Sequence, residues 1–168
     1  VIEPLNSYRL KERQPDNLGE FQFKIGKIEF IKKGIDITVV SYGSTLRIVE
    51  KASTLSEKYD ISVELIDLQS LIPFDIYNEI SQSVQKTNKL LIVDEDYPGG
   101  ASSYILNKVL NEQDAFKYLD IKPETLTAKE HRPPYGTDGD YYSKPSIDDV
   151  FEKIYKIMKE YNPDKYKL

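Results

Sequence analysis

Three dense apolar runs, rich in β-branched residues, constrain the fold of this chain more than any other feature. They cover residues 35–42, 61–68 and 89–93, and segments with apolar residues at helical spacing separate them. Runs that are apolar on both faces are typical of strands buried in a parallel sheet. Parallel strands need crossover connections, which are usually helices and nearly always right-handed. The pattern therefore predicts a three-layer α/β/α sandwich with a mainly parallel sheet.

Two further strands are predicted at the ends of this pattern, which makes a five-stranded mixed sheet. Residues 21–31 alternate between apolar and polar side chains, which indicates an edge strand with one polar side. A tight turn at Lys33-Gly34 follows, so we expect this strand to run antiparallel to its neighbour in sequence. The short β-prone stretch 124–128 is interpreted as the last strand.

Apolar spacing and start signals predict the helices. The first opens at residues 43–45, where Ser44 is interpreted as the cap. The second begins at Pro73 and Asp75, and the third runs over residues 101–110. The buried residues expected for the second helix are Ile76, Ile80 and Val84, and those for the third are Ile105 and Val109.

The final helix has the clearest period in the sequence. Ser146 and Asp149 stand at the two positions of a capping box at its start. Asn162-Pro163 ends it. Its predicted apolar stripe comprises Ile147, Val150, Phe151, Ile154, Ile157, Met158 and Tyr161.

Composition excludes several classes of function. The net charge of -5 argues against a general nucleic-acid binder, because no broad positive field would neutralise phosphates. The absence of cysteine excludes disulfides, thiolate nucleophiles and iron–sulfur clusters. No apolar run reaches the roughly 20 residues that span a bilayer, and no signal peptide opens the chain. We therefore expect no membrane partner and a cytoplasmic or organelle-matrix location.

The amino-terminal residues are predicted to be an extended linker. Pro4, Pro15 and Gly19 interrupt any helix there, which places the linker at residues 1–19 and the α/β domain at 20–168. The chain begins at Val1 rather than Met, and we interpret this as the sign of a processed chain or of a piece of a longer protein.

Three consecutive carboxylates follow the third buried strand, at the edge of the sheet where α/β proteins form their sites. Asp94, Glu95 and Asp96 offer divalent-metal binding or acid–base chemistry as one interpretation. Since no second set of ligands has a recognisable spacing, a solvated loop or a docking face for a basic partner is favoured.

The loop 129–144 contains the only histidine and is rich in Pro, Gly and Tyr. No Gly-x-Ser-x-Gly elbow accompanies His131, so an interface role for His131 and Arg132 is favoured over catalysis. Residues 137–140 fail the EF-hand pattern, and a tight turn with Gly139 at positive φ is the preferred interpretation. We assign no catalytic residue, cofactor-binding residue or metal ligand in this chain.

Several of these segments, in this order, resemble the transketolase C-terminal domain family. They are most similar to the version in the beta subunit of thiamine-diphosphate-dependent 2-oxo acid dehydrogenases. The matching segments are residues 34–43, which carry D-I-T-V-V-S-Y-G, residues 63–75, residues 86–93, Glu95 with Gly99-Gly100, and, before the domain, Ile2-Glu3-Pro4 and Tyr8-Arg9.

The resemblance implies a sheet of order 1-3-2-4-5 with the first strand antiparallel. It also implies a parent enzyme that decarboxylates a 2-oxo acid, of pyruvate or branched-chain type, and passes the acyl group to a lipoyl acyltransferase. That family keeps thiamine diphosphate, magnesium and the activating glutamate in its pyrimidine- and diphosphate-binding domains. This domain would contribute homodimer contacts, support for the pyrimidine-binding domain that precedes the linker, and docking, and would bind no cofactor and be inactive alone.

Two departures from the family pattern leave alternatives open. The family often has His-Glu-Ala where this chain has Asp94-Glu95-Asp96, so no role of that histidine is transferred. The loop 129–143 is longer and richer in tyrosine than expected, which suggests a form with fused alpha and beta parts. A domain of a transketolase or a deoxyxylulose-phosphate synthase is the related alternative. A free-standing ligand- or protein-binding α/β module is the alternative of another class.

Overall fold

Five strands in the described part of the chain form one sheet, ordered β1-β3-β2-β4-β5. The computed structural model describes residues 3, 8–11, 13–132, 134–136 and 139–167, without the side chain of Asp140. The strands are β1 (Glu29–Lys32), β2 (Ile37–Ser41), β3 (Val63–Asp67), β4 (Leu90–Val93) and β5 (Glu124–Leu126). β1 is antiparallel to β3 and the other pairs are parallel. The predicted order and the antiparallel first strand are confirmed.

Helices cover both faces of the sheet, as the sequence predicts. They are α1 (Thr45–Glu57), α2 (Glu79–Thr87), α3 (Ala101–Asn107), α4 (Gly139–Ser143) and α5 (Ile147–Tyr161). One apolar core lies between the sheet and the helices α1 and α5. A second core lies between the opposite face and the helices α2 and α3. The central strand β2 is buried along its whole length, because it supplies Val39 to the first core and Val40 to the second.

The strand β1 is shorter than predicted. It begins at Glu29 rather than residue 21, because Glu29 pairs with Asp67, the last residue of β3, and the ladder ends there. Phe21 and Ile25 are exposed. β1 also runs antiparallel to β2, its neighbour in sequence, as predicted, and it is not paired with β2 because both edges of β2 are occupied by β3 and β4.

The helix α2 begins at Glu79, later than the predicted start at Pro73 and Asp75. The Asp75 carboxylate accepts hydrogen bonds from the amides of Glu79 (3.1 Å) and Ile80 (2.8 Å), so it stabilises the start of the helix from upstream. The intervening residues form a turn, which leaves Ile76 exposed. Ile80 and Val84 are buried as predicted.

The third predicted helix is α-helical only in its first part. α3 ends at Asn107 and continues as a π-helical turn over Lys108–Glu112, and a 3₁₀ turn follows at Ala115–Tyr118. Ile105 and Val109 are both buried, as predicted.

The capping box of α5 is confirmed. The Ser146 hydroxyl accepts from the Asp149 amide at 3.2 Å, and the Asp149 carboxylate accepts from the Ser146 amide at 2.9 Å. Val150, Ile154, Ile157 and Met158 form the buried stripe. Tyr161 does not belong to it, because its ring is about half exposed and lies 3.6 Å from the Lys89 ammonium.

The loop 129–144 contains one short helix, α4, that was not predicted. Gly139 begins this helix, and the positive φ (128°) lies at Gly136 rather than at Gly139 as predicted. Thr137 and Asp138 lie outside the described residues, and the rest of that prediction with them.

Candidate functional site

The carboxyl ends of the parallel strands bring Tyr42 and Asp94 together at one edge of the sheet, which we call the rim. Tyr42 follows β2 and Asp94 follows β4, the neighbouring strand. The Tyr42 hydroxyl donates to Asp94 Oδ1 at 2.8 Å. The Asp94 amide donates to the carbonyl of Leu126 at 2.9 Å, which continues the β4–β5 pairing beyond the strands.

Asp94 lies beneath the surface, with 1% of the residue exposed. Its carboxylate also accepts from the amide of Asp96 (3.0 Å) and from that of Ser102 (3.1 Å) in the first turn of α3. Burial, the hydrogen bond to Asp94 and the nearby carboxylates raise the pKa of Tyr42, so Tyr42 remains a protonated donor. Asp94 therefore fixes the acidic loop in place, and its carboxylate is not exposed at the surface.

Glu95 forms a second, more accessible polar cluster at this edge. Its carboxylate accepts from the Ser44 hydroxyl at 2.8 Å and from the Lys144 ammonium at 3.0 Å. The Ser44 side chain thus bridges to Glu95 instead of capping α1, which corrects the sequence interpretation. Lys144 was not predicted here, because its partner lies 49 residues away in the chain.

Asp96 is exposed, and its loop depends on the two glycines that follow. The Asp96 carboxylate accepts from the amide of Tyr97 at 2.7 Å. A Cβ atom at Gly100 would lie 2.6 Å from the Asp96 carboxylate, and Gly99 adopts a φ of 93°. Gly99 therefore favours glycine for conformational reasons, whereas a side chain at Gly100 would displace the Asp96 carboxylate.

His131 and Arg132 are exposed, and their contacts lie within their own loop. His131 Nδ1 is 2.8 Å from the carbonyl of Arg132, and its ring packs on Tyr142 with 5.4 Å between centroids. The Arg132 guanidinium lies 4.8 Å from the centroid of the Tyr135 ring and donates to its hydroxyl. The described contacts thus do not join these two side chains to the cluster around Glu95.

A buried carboxylate that sequence reasoning missed lies below the rim. Glu64 in β3 is 1% exposed and accepts from the Ser83 hydroxyl (2.6 Å) and the Gly34 amide (3.2 Å), and it forms an ion pair with Lys86. Burial alone would raise the pKa of Glu64, but the bonds from these three partners lower it overall. The signal available in the sequence was a charged residue in the middle of the apolar run 61–68. The network joins β3 to α2, and we interpret it as structural.

The rim does not present a ligand set for magnesium and thiamine diphosphate. Among the residues that the structure describes, no group of three or more His, Cys, Asp or Glu side chains is arranged to hold a metal ion. A magnesium–diphosphate site needs several convergent oxygen ligands, whereas Asp94 and Glu95 each belong to a separate hydrogen-bond network. The donor set therefore does not fit this cofactor.

Sequence comparison defines the family. Residues 26–146 match the transketolase, C-terminal domain family, and the chain belongs to that family. It is 35% identical to the pyruvate dehydrogenase E1 component subunit beta of Acholeplasma laidlawii, over 94% of this chain and 47% of that protein. The corresponding subunit of Mesostigma viride gives the same identity and coverage. The mitochondrial subunit beta-2 of Oryza sativa subsp. japonica is 31% identical over 77% of this chain.

Solved structures share the fold. A split-gene transketolase, described as an inactive beta4 tetramer, has a TM-score of 0.65 and 21% identity, over 86% of this chain and 46% of that one. The 2-oxoglutarate:ferredoxin oxidoreductase of Magnetococcus marinus has a TM-score of 0.53 and 15% identity. The chain spans about half the length of the curated relatives it matches. Within the described residues, no helix has the length and apolar character needed to cross a bilayer.

Proposed function

We propose that this chain forms the C-terminal domain of the decarboxylating component of a 2-oxo acid dehydrogenase, of pyruvate or branched-chain type. The similarity to E1 beta subunits over 94% of the chain is the main support. Residues 1–19 would be the linker from a pyrimidine-binding domain, and residues 20–168 the domain itself. The parent enzyme would act in the cytoplasm or in an organelle matrix.

The role we propose for the domain is assembly and docking rather than chemistry. Thiamine diphosphate and magnesium would be bound by the pyrimidine- and diphosphate-binding domains of the parent enzyme. Homodimer contacts and docking to the lipoyl acyltransferase would use the accessible side chains Glu95, Asp96, His131 and Arg132. Asp94 would support this surface from beneath, since its carboxylate is already occupied by Tyr42 and Ser102.

A chimaeric subunit tests this proposal. In it, the present chain replaces the matched part of the Acholeplasma laidlawii subunit beta, and the product is assembled with the other subunit of that E1 component. We expect the assembly to decarboxylate pyruvate when thiamine diphosphate and magnesium are supplied. The 168-residue chain alone should show neither turnover nor thiamine diphosphate binding by calorimetry.

Two outcomes would overturn the proposal. One is turnover by the chain alone, which would make the domain catalytic. The other is a chimaera that folds and assembles with its partner subunit but decarboxylates no pyruvate. The unmodified Acholeplasma laidlawii subunit beta, prepared and assembled in the same way, is the positive control.

A further inference from the structure

Six exposed apolar side chains lie in two segments, one before β1 and one after β3. We name them the apolar rim patch: Phe21, Phe23, Ile25, Ile72, Ile76 and Tyr77. Ile72 is 83% exposed and Ile25 is 67% exposed. Contiguous apolar surface of this kind marks interaction sites in proteins. The patch took no part in the site described above.

The two segments that carry the patch are in direct contact. The amide of Ile76 donates to the carbonyl of Gly26 at 2.9 Å. A Cβ atom at Gly26 would lie 2.8 Å from Pro73 Cγ and 2.9 Å from Ile76 Cγ2. The Lys24 ammonium lies 5.0 Å from the centroid of the Tyr77 ring and donates to its hydroxyl. The segment 24–26 therefore lies directly against residues 73–77.

The second segment, residues 71–77, is anchored to the core by buried contacts. Asp75 is buried, stabilises the start of α2, and accepts from the side-chain amide of Gln113 at 3.0 Å. Leu71 and Phe74 pack against the core, and the carbonyl of Leu71 accepts from the Tyr104 hydroxyl at 3.2 Å. The outward side chains, such as Ile72, are thus presented by an anchored turn.

The comparisons indicate what covers this patch. The family match begins at residue 26, so the segment 21–25 lies before it. The match to E1 beta subunits covers 94% of the chain, which leaves too few residues unmatched to exclude that segment. The segment is therefore shared with proteins of about twice this length and directly follows the proposed linker, residues 1–19. A domain that precedes this linker would lie next to the segment.

We infer that the apolar rim patch is the surface on which the remaining half of an E1 beta-type subunit packs. This inference rests on the proposed function and adds the contact surface, for which the partner must offer an apolar face. Hydrogen–deuterium exchange on the chimaeric subunit tests it. We expect residues 20–26 and 71–77 to exchange more slowly in the chimaera than in the chain alone, by about tenfold or more. Equal exchange in both would overturn the inference.

Matched variants give a second measurement. Ile25→Ser and Ile72→Ser together should lower the thermal midpoint of the chimaera but leave that of the chain alone unchanged. Ile35→Ser is the control. Ile35 is 68% exposed, but it precedes β2 and therefore lies at the amino ends of the parallel strands, away from the patch. It should change neither midpoint. Equal midpoints for the patch variant and the control in the chimaera would contradict the inference.

The results separate this inference from the proposed function. An active chimaera with an unprotected patch retains the function and removes the surface. An inactive chimaera with a protected patch removes the function and retains the surface. Dimerisation of the chain alone that Ile25→Ser and Ile72→Ser abolish, measured by sedimentation, would assign the patch to a second copy and overturn the inference.

Discussion

Asp94 differs from its two acidic neighbours in what surrounds it. Glu95 and Asp96 reach the surface, whereas Asp94 accepts hydrogen bonds from a tyrosine hydroxyl and two backbone amides. The sequence shows three equivalent carboxylates in a row. Burial distinguishes them, and burial depends on strands that lie far apart in the chain.

Replacing Asp94 should therefore destabilise the fold. Asp94→Ala leaves the Tyr42 hydroxyl and the Ser102 amide without their acceptor, so we expect the free energy of unfolding to fall by about 1–3 kcal/mol. Tyr42→Phe removes only one donor, and the Asp94 carboxylate keeps its bonds from the amides of Asp96 and Ser102. The loss of stability should therefore be smaller. Urea denaturation of both variants measures the difference. Equal stability of Asp94→Ala and the parent chain would contradict the assignment.

Glu64 should make stability depend on pH in the acid range. Its pKa is lower in the folded chain than the ordinary value of 4.5, so its contribution is complete above that value and is lost as the pH falls through the folded pKa. Glu64→Gln should lower stability at neutral pH by about 1–3 kcal/mol. It should also flatten the acid dependence of the denaturation midpoint. The exposed Glu50→Gln is the control and should keep the parent profile.

At the scale of elements, local signals predicted best where one segment contains all the interacting groups. The α5 capping box joins residues three apart, and the sequence identified it. The edge strand was predicted too long because its length depends on where β3 ends, which residues 21–31 do not encode. The start of α2 was misplaced for a related reason: Asp75 acts from outside the helix, across a turn.

The capping box should contribute measurably to stability. Ser146→Ala removes the acceptor of the Asp149 amide and should lower the free energy of unfolding by about 1 kcal/mol. Asp149→Ala should have a similar effect. The double variant should lose less than the sum, because both side chains serve one motif. Ser103→Ala, at an exposed position inside α3, is the control. Additive losses would show that the two bonds act independently.

At the scale of the whole molecule, the sheet order came from the resemblance and the layering from the apolar runs. The contacts of the rim came from neither. Tyr42 with Asp94 and Glu95 with Lys144 are about fifty residues apart, and only the folded sheet brings them together. The apolar rim patch was likewise not predicted. Most of its side chains were assigned to the first strand and the second helix, but β1 begins only at Glu29 and α2 only at Glu79.

The carboxyl-terminal segment is fastened to the body by an aromatic cluster. Tyr166 is buried, packs edge-on against Tyr155 at 5.8 Å between centroids, and donates to the carbonyl of Asp60 at 3.4 Å. We expect Tyr166→Ala to lower the free energy of unfolding by about 3 kcal/mol. Tyr141→Ala, at an exposed tyrosine, should change it by less than about 0.5 kcal/mol. Thermal and urea unfolding distinguish the two.

Because the carboxyl-terminal segment is anchored at Asp60, the molecule can be attached to a surface through that segment. Asp60 precedes β3 and Ile72 follows it, so the length of that strand, five residues at about 3.3 Å each, separates the two ends of the sheet. A biotinylated peptide fused at the carboxyl terminus would leave the body beside Asp60. Molecules captured on a sensor chip through that peptide would all present Ile72 and the rim loops to the flowing solution, in one orientation.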